Sequence, residues 1–228
     1  GYLTSKVIGE PPSKPAQLAV TGLNATGKAT PNLVLNFRST IGHGDYTYTV
    51  TKVAEKAFEE QKNIVSVEFN SGMEEIGDRA FYNCTNISNI TFNRNSISSI
   101  LGYAFFGTAI TTLHLPASLT YFNNSCVDKC INLTSITVDE ANSKFSSYKE
   151  MLYNKEQTQL IKCPAAITGD MLEKDFPLTL VEIWPSAFEN SRLKRLYLPY
   201  GVTTLHKEAF AYTYFDELKI PSSDLLPV

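Results

Sequence analysis

The chain has 228 residues, of which 43% are apolar and 19% are charged, and its formal net charge is −3. This composition is typical of a folded protein rather than a disordered one. No basic run suggests nucleic-acid binding, and no apolar run reaches the roughly 20 residues that a membrane-spanning helix needs. The chain begins Gly1-Tyr2 without a signal-peptide pattern, as a mature chain would after removal of a targeting segment.

The first part of the chain is predicted to be a lead-in followed by a hairpin-like cap over residues 31–50. Glu10–Pro15 is rich in proline and is predicted to be a linker. Ala16–Leu23 is a candidate short strand. Alternating apolar and polar residues predict strands at Leu33–Phe37 and Tyr46–Val50, with a turn at 42–45 between them. Such a cap would cover the apolar face and open sheet edge of a first repeat.

From Val50 onward, one apolar pattern recurs in six copies. Each copy has two apolar residues three positions apart, then a small residue followed by a ring or its substitute, and finally an apolar-x-x-apolar-x-apolar element. In the stretch 73–92 these positions are Met73 and Ile76, Ala80 and Phe81, and Ile87, Ile90 and Phe92. The rings of Phe58, Phe81 and Phe105 are separated by 23 and 24 residues, within the period of about 20–29 residues that leucine-rich repeats show.

Each part of the repeat has a physical interpretation. The last element is predicted to be a short strand with its final three residues alternating in, out and in. Pro116, Pro199 and Pro221 end three of these strands, because proline cannot continue a ladder. The small residue and ring are predicted to form a helical or 3₁₀ turn on the opposite face. Stacked coils would place the strands in a parallel sheet, so the sequence predicts a leucine-rich-repeat solenoid, a right-handed superhelix.

One segment interrupts the repeat, since 42 residues separate Val138 from Leu180. Within it, residues 150–153 and 159–162 flank a polar turn, and we expect a hairpin that projects from the solenoid or forms an irregular coil. The predicted organisation is a lead-in and β-hairpin cap at 1–49, repeats one to four at 50–138, the hairpin insertion or degenerate coil at 139–179, and repeats five and six with a C-terminal cap at 180–228.

The phrases IGDRAFYNCTNISNITF and VTTLHKEAFAYTYFDELKIP resemble the BspA-type leucine-rich repeat of bacterial surface proteins, whose pattern is I-G-x-x-A-F-x-x-C-x-x-L-x-x-I-x-L-P. The resemblance covers residues 46–221 and extends to the hairpin insertion. It departs where Leu101, Asn123, Trp184 and His206 replace the glycine and where Val127 replaces the ring. It implies a secreted or surface-anchored protein that binds other proteins, host matrix or neighbouring cells.

The outward positions of the strands are the best candidates for a binding site. They would line the concave sheet face, on which solenoids bind extended surfaces. The candidates are Ser66, Glu68, Asn89, Thr91, Thr112, His114, Arg195, Tyr197, Glu217 and Lys219, with Ser135 and Thr137 on the remaining strand. Arg195 and Tyr197 are residue types that interface hot spots favour. A merely solvated sheet face is the alternative, and the sequence leaves both open.

The sequence contains no cluster that indicates catalysis, a metal or a cofactor. His43, His114 and His206 fall in different parts of the coil. Cys84 and Cys130 occupy equivalent positions two coils apart, about 10 Å at the spacing of strands, which is too far for a disulfide. We expect all four cysteines, Cys84, Cys126, Cys130 and Cys163, to be buried free thiols. Trp184 is either an exposed anchor or packed against the insertion. N-x-[ST] sequons begin at Asn24, Asn83, Asn86, Asn89, Asn123 and Asn132.

These observations favour a monomeric, non-catalytic binding or adhesion module, secreted or on the cell surface, whose partner is a protein or a cell-surface or matrix ligand. A structural spacer that displays another domain is the alternative. An enzyme that uses the insertion as a lid is a third class, and it lacks a nucleophile and base pair.

Overall fold

The computed structural model describes residues 1–9, 16–43, 45–93 and 96–221. The predicted linker at 10–15 and Gly44 of the predicted turn lie outside these ranges. The chain forms two compact units, one of Gly1–Ile110 with Ser118–Asp128, the other of Thr111–Ala117 with Lys129–Val228. Each unit is built from coils whose short strands stack in parallel ladders, and the predicted leucine-rich-repeat solenoid is confirmed.

Most of the regular structure in the described ranges is strand. Helix is limited there to α1 (Ala25–Ala29) and 3₁₀ turns at Asn124–Val127 and Glu173–Asp175. The first unit contains β1 (Leu3–Gly9), β2 (Gln17–Leu23), β3 (Leu33–Asn36), β4 (Thr40–His43), β5 (Tyr46–Val53), β6 (Ile64–Phe69), β7 (Glu75–Ile76), β8 (Asn89–Phe92), β9 (Ser99–Ile100) and β11 (Tyr121–Phe122). The second contains β10 (Thr112–Leu115), β12 (Ser135–Val138), β13 (Phe145–Tyr148), β14 (Met151–Asn154), β15 (Gln159–Lys162), β16 (Thr168–Met171), β17 (Glu182–Ile183), β18 (Arg192–Tyr197), β19 (Thr204–Leu205) and β20 (Glu217–Lys219).

The first unit has two parallel ladders rather than one. The apolar-x-x-apolar-x-apolar elements of the first two repeats form β6 and β8, as predicted, and β3 extends their sheet to the order β3-β6-β8. The apolar pairs form a second ladder, β2-β5-β7-β9-β11, which β1 extends antiparallel. The register keeps equivalent residues adjacent, with Val53 beside Ile76 and Ile76 beside Ile100. Like residues therefore stack, and the apolar column between the two ladders forms the core.

The segment before Val50 is itself a coil, which corrects the expected hairpin between the strands at Leu33–Phe37 and Tyr46–Val50. Strand β3 pairs with β6 in parallel, while the antiparallel partner of β5 is β4. Leu35 and Phe37 occupy the inward positions of Val67 and Phe69, and Leu35 pairs with Val67. The sequence pattern did not distinguish a hairpin strand from a repeat strand, because both alternate with period two.

The turn that carries the small residue and the ring is held by a third ladder. The N–H groups of Lys56, Phe58 and Glu60 each donate to a carbonyl of the following coil at 2.8–2.9 Å. Lys56 and Glu60 have left-handed φ values of 54° and 61°. Left-handed residues on both sides of Phe58 point every second N–H towards the next coil. These turns are mostly non-helical, and a 3₁₀ turn replaces this arrangement at Asn124–Val127.

In the second unit, the insertion contributes strands to a ladder. Strands β13, β14 and β15 form an antiparallel meander, and β15 continues in parallel with β17 and β19. Strand β16 pairs in parallel with β18. Met151, Tyr153 and Leu160 are fully buried, with no exposed surface. Residues 159–171 thus make an irregular coil, and β13 and β14 are the additional strands.

The repeat pattern identifies the core well. Its apolar positions are nearly all buried, and the four cysteines are buried free thiols, as predicted. The exceptions concentrate in the last coil, where Leu218 and Ile220 are 38% and 39% exposed. Leu205, Phe210 and Phe215 of the same coil are half-buried.

Candidate functional site

Strands β6 and β8 carry four of the predicted site residues. Ser66 is opposite Asn89 and Glu68 is opposite Thr91 in the parallel register. The side-chain amide of Asn89 donates to the hydroxyls of Ser66 at 3.4 Å and Thr91 at 3.2 Å. The inward neighbours Val67, Phe69 and Ile90 are buried, so the strands hold these four polar groups on the outward side.

The Glu68 carboxylate is the centre of an asparagine network that sequence reasoning missed. Asn36 donates to it at 2.7 Å, and Asn93 donates to its other oxygen. Asn70 donates to the side-chain oxygen of Asn36 and to the carbonyl of Phe37. Asn70 and Asn93 follow Phe69 and Phe92 directly, at the positions where other repeats have proline, and that equivalence is the signal that could have found them.

In the second unit, β10 and β12 hold another pair of outward residues. Thr112 is opposite Ser135 and His114 is opposite Thr137. The Nδ1 atom of His114 lies 2.9 Å from the Thr137 hydroxyl. Thr112 and His114 are exposed, so this short face combines an imidazole with hydroxyl groups.

The other four predicted residues meet on the sheet β16-β18-β20. Arg195 pairs in register with both Asp170 and Glu217, and Tyr197 pairs with Lys219. The Tyr197 hydroxyl donates to the Glu217 carboxylate at 2.6 Å, and the Lys219 ammonium lies 4.1 Å from the centre of the Tyr197 ring. Lys219 is also 3.9 Å from Glu217. The structure therefore brings all four side chains together.

Asp170 completes this group and was not predicted. Arg195 donates a hydrogen bond to its carboxylate, and this bond lowers the pKa of Asp170 below its ordinary value. The same bond raises the pKa of Arg195. Asp170 lies in the segment without repeat register, so its alignment with Arg195 could not be inferred from spacing.

The ten predicted residues do not form one sheet. Four lie on β6 and β8, two on β10, and four on β18 and β20, and these strands belong to three different sheets. The group on β18 and β20 is the best connected of the three because it includes an ion pair, a hydrogen bond and a cation–π contact.

A group of aromatic residues on the turns of the first unit was also missed. The Arg79 guanidinium lies 5.2 Å from the centre of the Tyr82 ring and 5.8 Å from that of Tyr103. Phe106 stacks on Tyr82 with ring centres 4.5 Å apart. Tyr82 and Phe106 both follow the repeat ring directly, a position that sequence reasoning treated as variable.

His206 and Trp184, two other residues singled out in the sequence, each contact the preceding coil. His206 Nε2 lies 2.6 Å from a carboxylate oxygen of Glu182. Trp184 is half-buried, and its backbone N–H donates to Leu160 of the insertion at 3.0 Å. Within the described ranges, no group of three or more histidine, cysteine, aspartate or glutamate side chains is placed to hold a metal ion.

The structure resembles solved bacterial leucine-rich-repeat proteins. The pneumococcal vaccine antigen PcpA superposes with a TM-score of 0.71 at 20% identity, over 100% of this chain and 69% of that one. A leucine-rich-repeat protein from Eubacterium ventriosum gives 0.58 at 24% identity, over 72% and 49% of the two chains. A leucine-rich cell surface protein from Faecalibacterium prausnitzii gives 0.57 at 15% identity, over 95% and 74%. At these identities the likeness shows the fold.

Sequence comparison identifies the family directly. No curated protein matches the chain. None of the helices in the described ranges is long and apolar enough to span a membrane. The model of the BspA-type leucine-rich repeat region matches in six copies, across residues 44–169 and 170–225. These matches span most of the chain and coincide with the coils of the structure, and the chain therefore belongs to the BspA-type leucine-rich repeat family.

Proposed function

We propose that this protein is a non-catalytic binding or adhesion module, secreted or displayed on a cell surface, that contacts a protein or matrix ligand as a monomer. Its family is one of bacterial surface proteins, and one similar structure is described as a cell surface protein. The repeat places polar side chains in rows on the outward sides of its strands, which is the kind of surface that solenoids use for extended partners.

The observation that carries the proposal is the group formed by Asp170, Arg195, Tyr197, Glu217 and Lys219. Each member is fixed by another: Asp170 pairs with Arg195, and Glu217 accepts from Tyr197 while Lys219 covers the Tyr197 ring. Side chains that are already ordered lose little conformational entropy when a partner arrives. Arginine and tyrosine are also enriched among residues that dominate binding energies.

Binding to purified matrix proteins tests the proposal. The chain is passed over immobilised fibronectin, laminin and collagen, and any binding is compared with that of Arg195→Ala and Tyr197→Ala. We expect each substitution to weaken binding at least tenfold, equivalent to about 1.4 kcal/mol. Arg192→Ala, an exposed arginine on the same strand β18, is the matched control and should bind normally. Equal loss in all three variants would remove the assignment to this group.

A spacer function is supported by a different observation. Several outward side chains satisfy one another, as Glu68 does with Asn36 and Asn93. A face with satisfied polar groups stays solvated without a partner. If the chain binds none of the matrix proteins and is captured by no component of cell-surface extracts, the spacer becomes the better description.

A further inference from the structure

A groove of about 620 Å³ in the first unit runs along strand β3. It is lined by five consecutive residues, Val34 to Arg38. Consecutive residues of a strand point to opposite faces of the sheet, so a cavity that touches all five follows the edge of the strand rather than one face. Leu3 and Ser5 of β1 and the buried Val20 of β2 are among the residues that line the rest of the groove. Its volume lies within the range of about 300–1,000 Å³ that is typical of binding sites.

Strand β3 is the outer member of its sheet. It pairs with β6, and none of the other described strands pairs with its second edge. In a parallel sheet, alternate backbone N–H and C=O groups of an edge strand point away from its neighbour and can bond to an added strand. The other ladder of this unit differs, because β1 covers β2 with an antiparallel pairing.

The side chains around this edge indicate what an added strand should carry. Leu35 and Phe37 are buried, with 2% and 1% of their surface exposed. The Phe37 ring stacks on Phe69 at 5.2 Å, and Phe69 stacks on Phe92 at 5.4 Å. These inward side chains are already covered, so an added strand in the same register would meet the edge through its backbone and through the residues opposite the exposed Asn36 and Arg38.

Arg38 adds a charge to this requirement. It is exposed, it lines the groove, and no carboxylate among the described residues lies within ion-pair distance of it. In that register, one residue of the added strand would be opposite Arg38. A carboxylate there could accept paired hydrogen bonds from the guanidinium.

We propose that the β3 edge binds an extended peptide by strand addition, and that the peptide carries an acidic residue opposite Arg38. Backbone bonds to β3 hold the peptide, and Arg38 selects the acidic residue. This site is separate from the outward strand faces and does not depend on their function.

Fluorescence anisotropy with a labelled peptide tests this. The peptide SNITFDS copies Ser88 and strand β8 (Asn89–Phe92), has aspartate in place of Asn93 and ends in serine. We expect it to bind saturably to the full chain and Arg38→Glu to weaken binding at least tenfold, since a hydrogen bond between charged groups contributes about 1.5–3 kcal/mol. The lysine peptide SNITFKS should show the opposite preference and bind Arg38→Glu more tightly than the unmodified protein. Arg192→Glu is the matched control, an exposed arginine with no expected effect.

Two further measurements distinguish strand addition from binding through side chains alone and from self-association. In β3 the Phe37 N–H donates to the following coil, so the phenylalanine N–H of the added peptide would face β3. The peptide SNITFDS methylated on that nitrogen cannot donate this hydrogen bond, and it should lose binding. Binding that persists with this peptide, or that ignores the exchange of charges at Arg38, would contradict the proposal. Sedimentation velocity reports whether the chain pairs with itself. A dimer that Arg38→Glu dissolves would mean that a second copy, not a peptide, occupies the edge.

Discussion

The column of phenylalanine rings offers the most direct test of how the first unit is stabilised. Phe81 has no exposed surface and contacts three other rings. The distances between ring centres are 5.0 Å to Phe58, 5.7 Å to Phe105 and 6.0 Å to Phe69. Removing a buried phenylalanine typically costs about 3–5 kcal/mol, and each aromatic pair adds about 0.5–1.5 kcal/mol beyond its area. We therefore expect Phe81→Ala to lower the free energy of unfolding by about 4–5 kcal/mol.

Phe92 is the matched control in the same unit. It is half-buried and has one stacked ring, Phe69 at 5.4 Å. Phe92→Ala should therefore cost about half as much, about 2 kcal/mol. Urea unfolding followed by far-UV circular dichroism measures both, and the slope of the transition shows whether the chain still unfolds cooperatively. Equal costs for the two variants would refute the reasoning, because it attributes the stability to burial and ring contacts.

Three other predictions follow from the turns, an ion pair and the thiols. Gly107 has φ +68°, and a Cβ there would lie 2.7 Å from the Asn83 side-chain oxygen. Gly107→Ala should therefore lower the free energy of unfolding by about 1–2 kcal/mol. Glu60→Gly, at the equivalent left-handed position, should raise it by about 1 kcal/mol, and thermal unfolding measures both. The hydrogen bond from Lys149 lowers the pKa of Asp175. The ionised carboxylate therefore stabilises the fold fully above the unfolded pKa of about 4, and this stabilisation is lost as pH falls through the folded pKa. The urea midpoints of the native protein and Asp175→Asn should differ at about pH 6, and the difference should shrink as the pH falls below about 4. Burial raises the pKa of the Cys84 and Cys163 thiols to about 12. The folded chain should therefore not react with Ellman's reagent at pH 8, whereas the chain unfolded in urea should react fully. Rapid reaction of the folded chain would contradict the burial of the thiols.

The strands and the core could be predicted from the sequence where residues recur at equivalent positions of each repeat. Met73, Ile76 and Phe81 recur in equivalent form in every copy, and that recurrence predicts both the strands and the core. The repeat at 16–37 was missed because a register irregularity between Leu18 and Ala19 shortens its apolar pair. Helix α1 also follows β2, in the part of the coil where other copies have the small residue and ring.

The candidate site was less predictable because its contacts join residues that have no repeat relationship. Outward positions were assigned correctly from alternation, but the partner of Arg195 comes from a strand inside the insertion. The left-handed residues, such as Lys56 and Arg79, were not recognisable as turn residues because they are neither glycine nor asparagine. Their conformation follows from hydrogen bonds between coils, which a local pattern does not contain.

The turn ladder restricts how such a chain can change in length. A single residue inserted between Lys56 and Glu60 would move the next N–H to the wrong side and disconnect that coil from its successor. Extra residues can be added without this penalty between the end of one strand and the start of the next coil. The additional residues of this chain lie at such a junction, since β13 and β14 come between strand β12 and the coil that begins at Gln159. The protein can therefore gain whole coils or junction loops, while the interior of each turn keeps a fixed length.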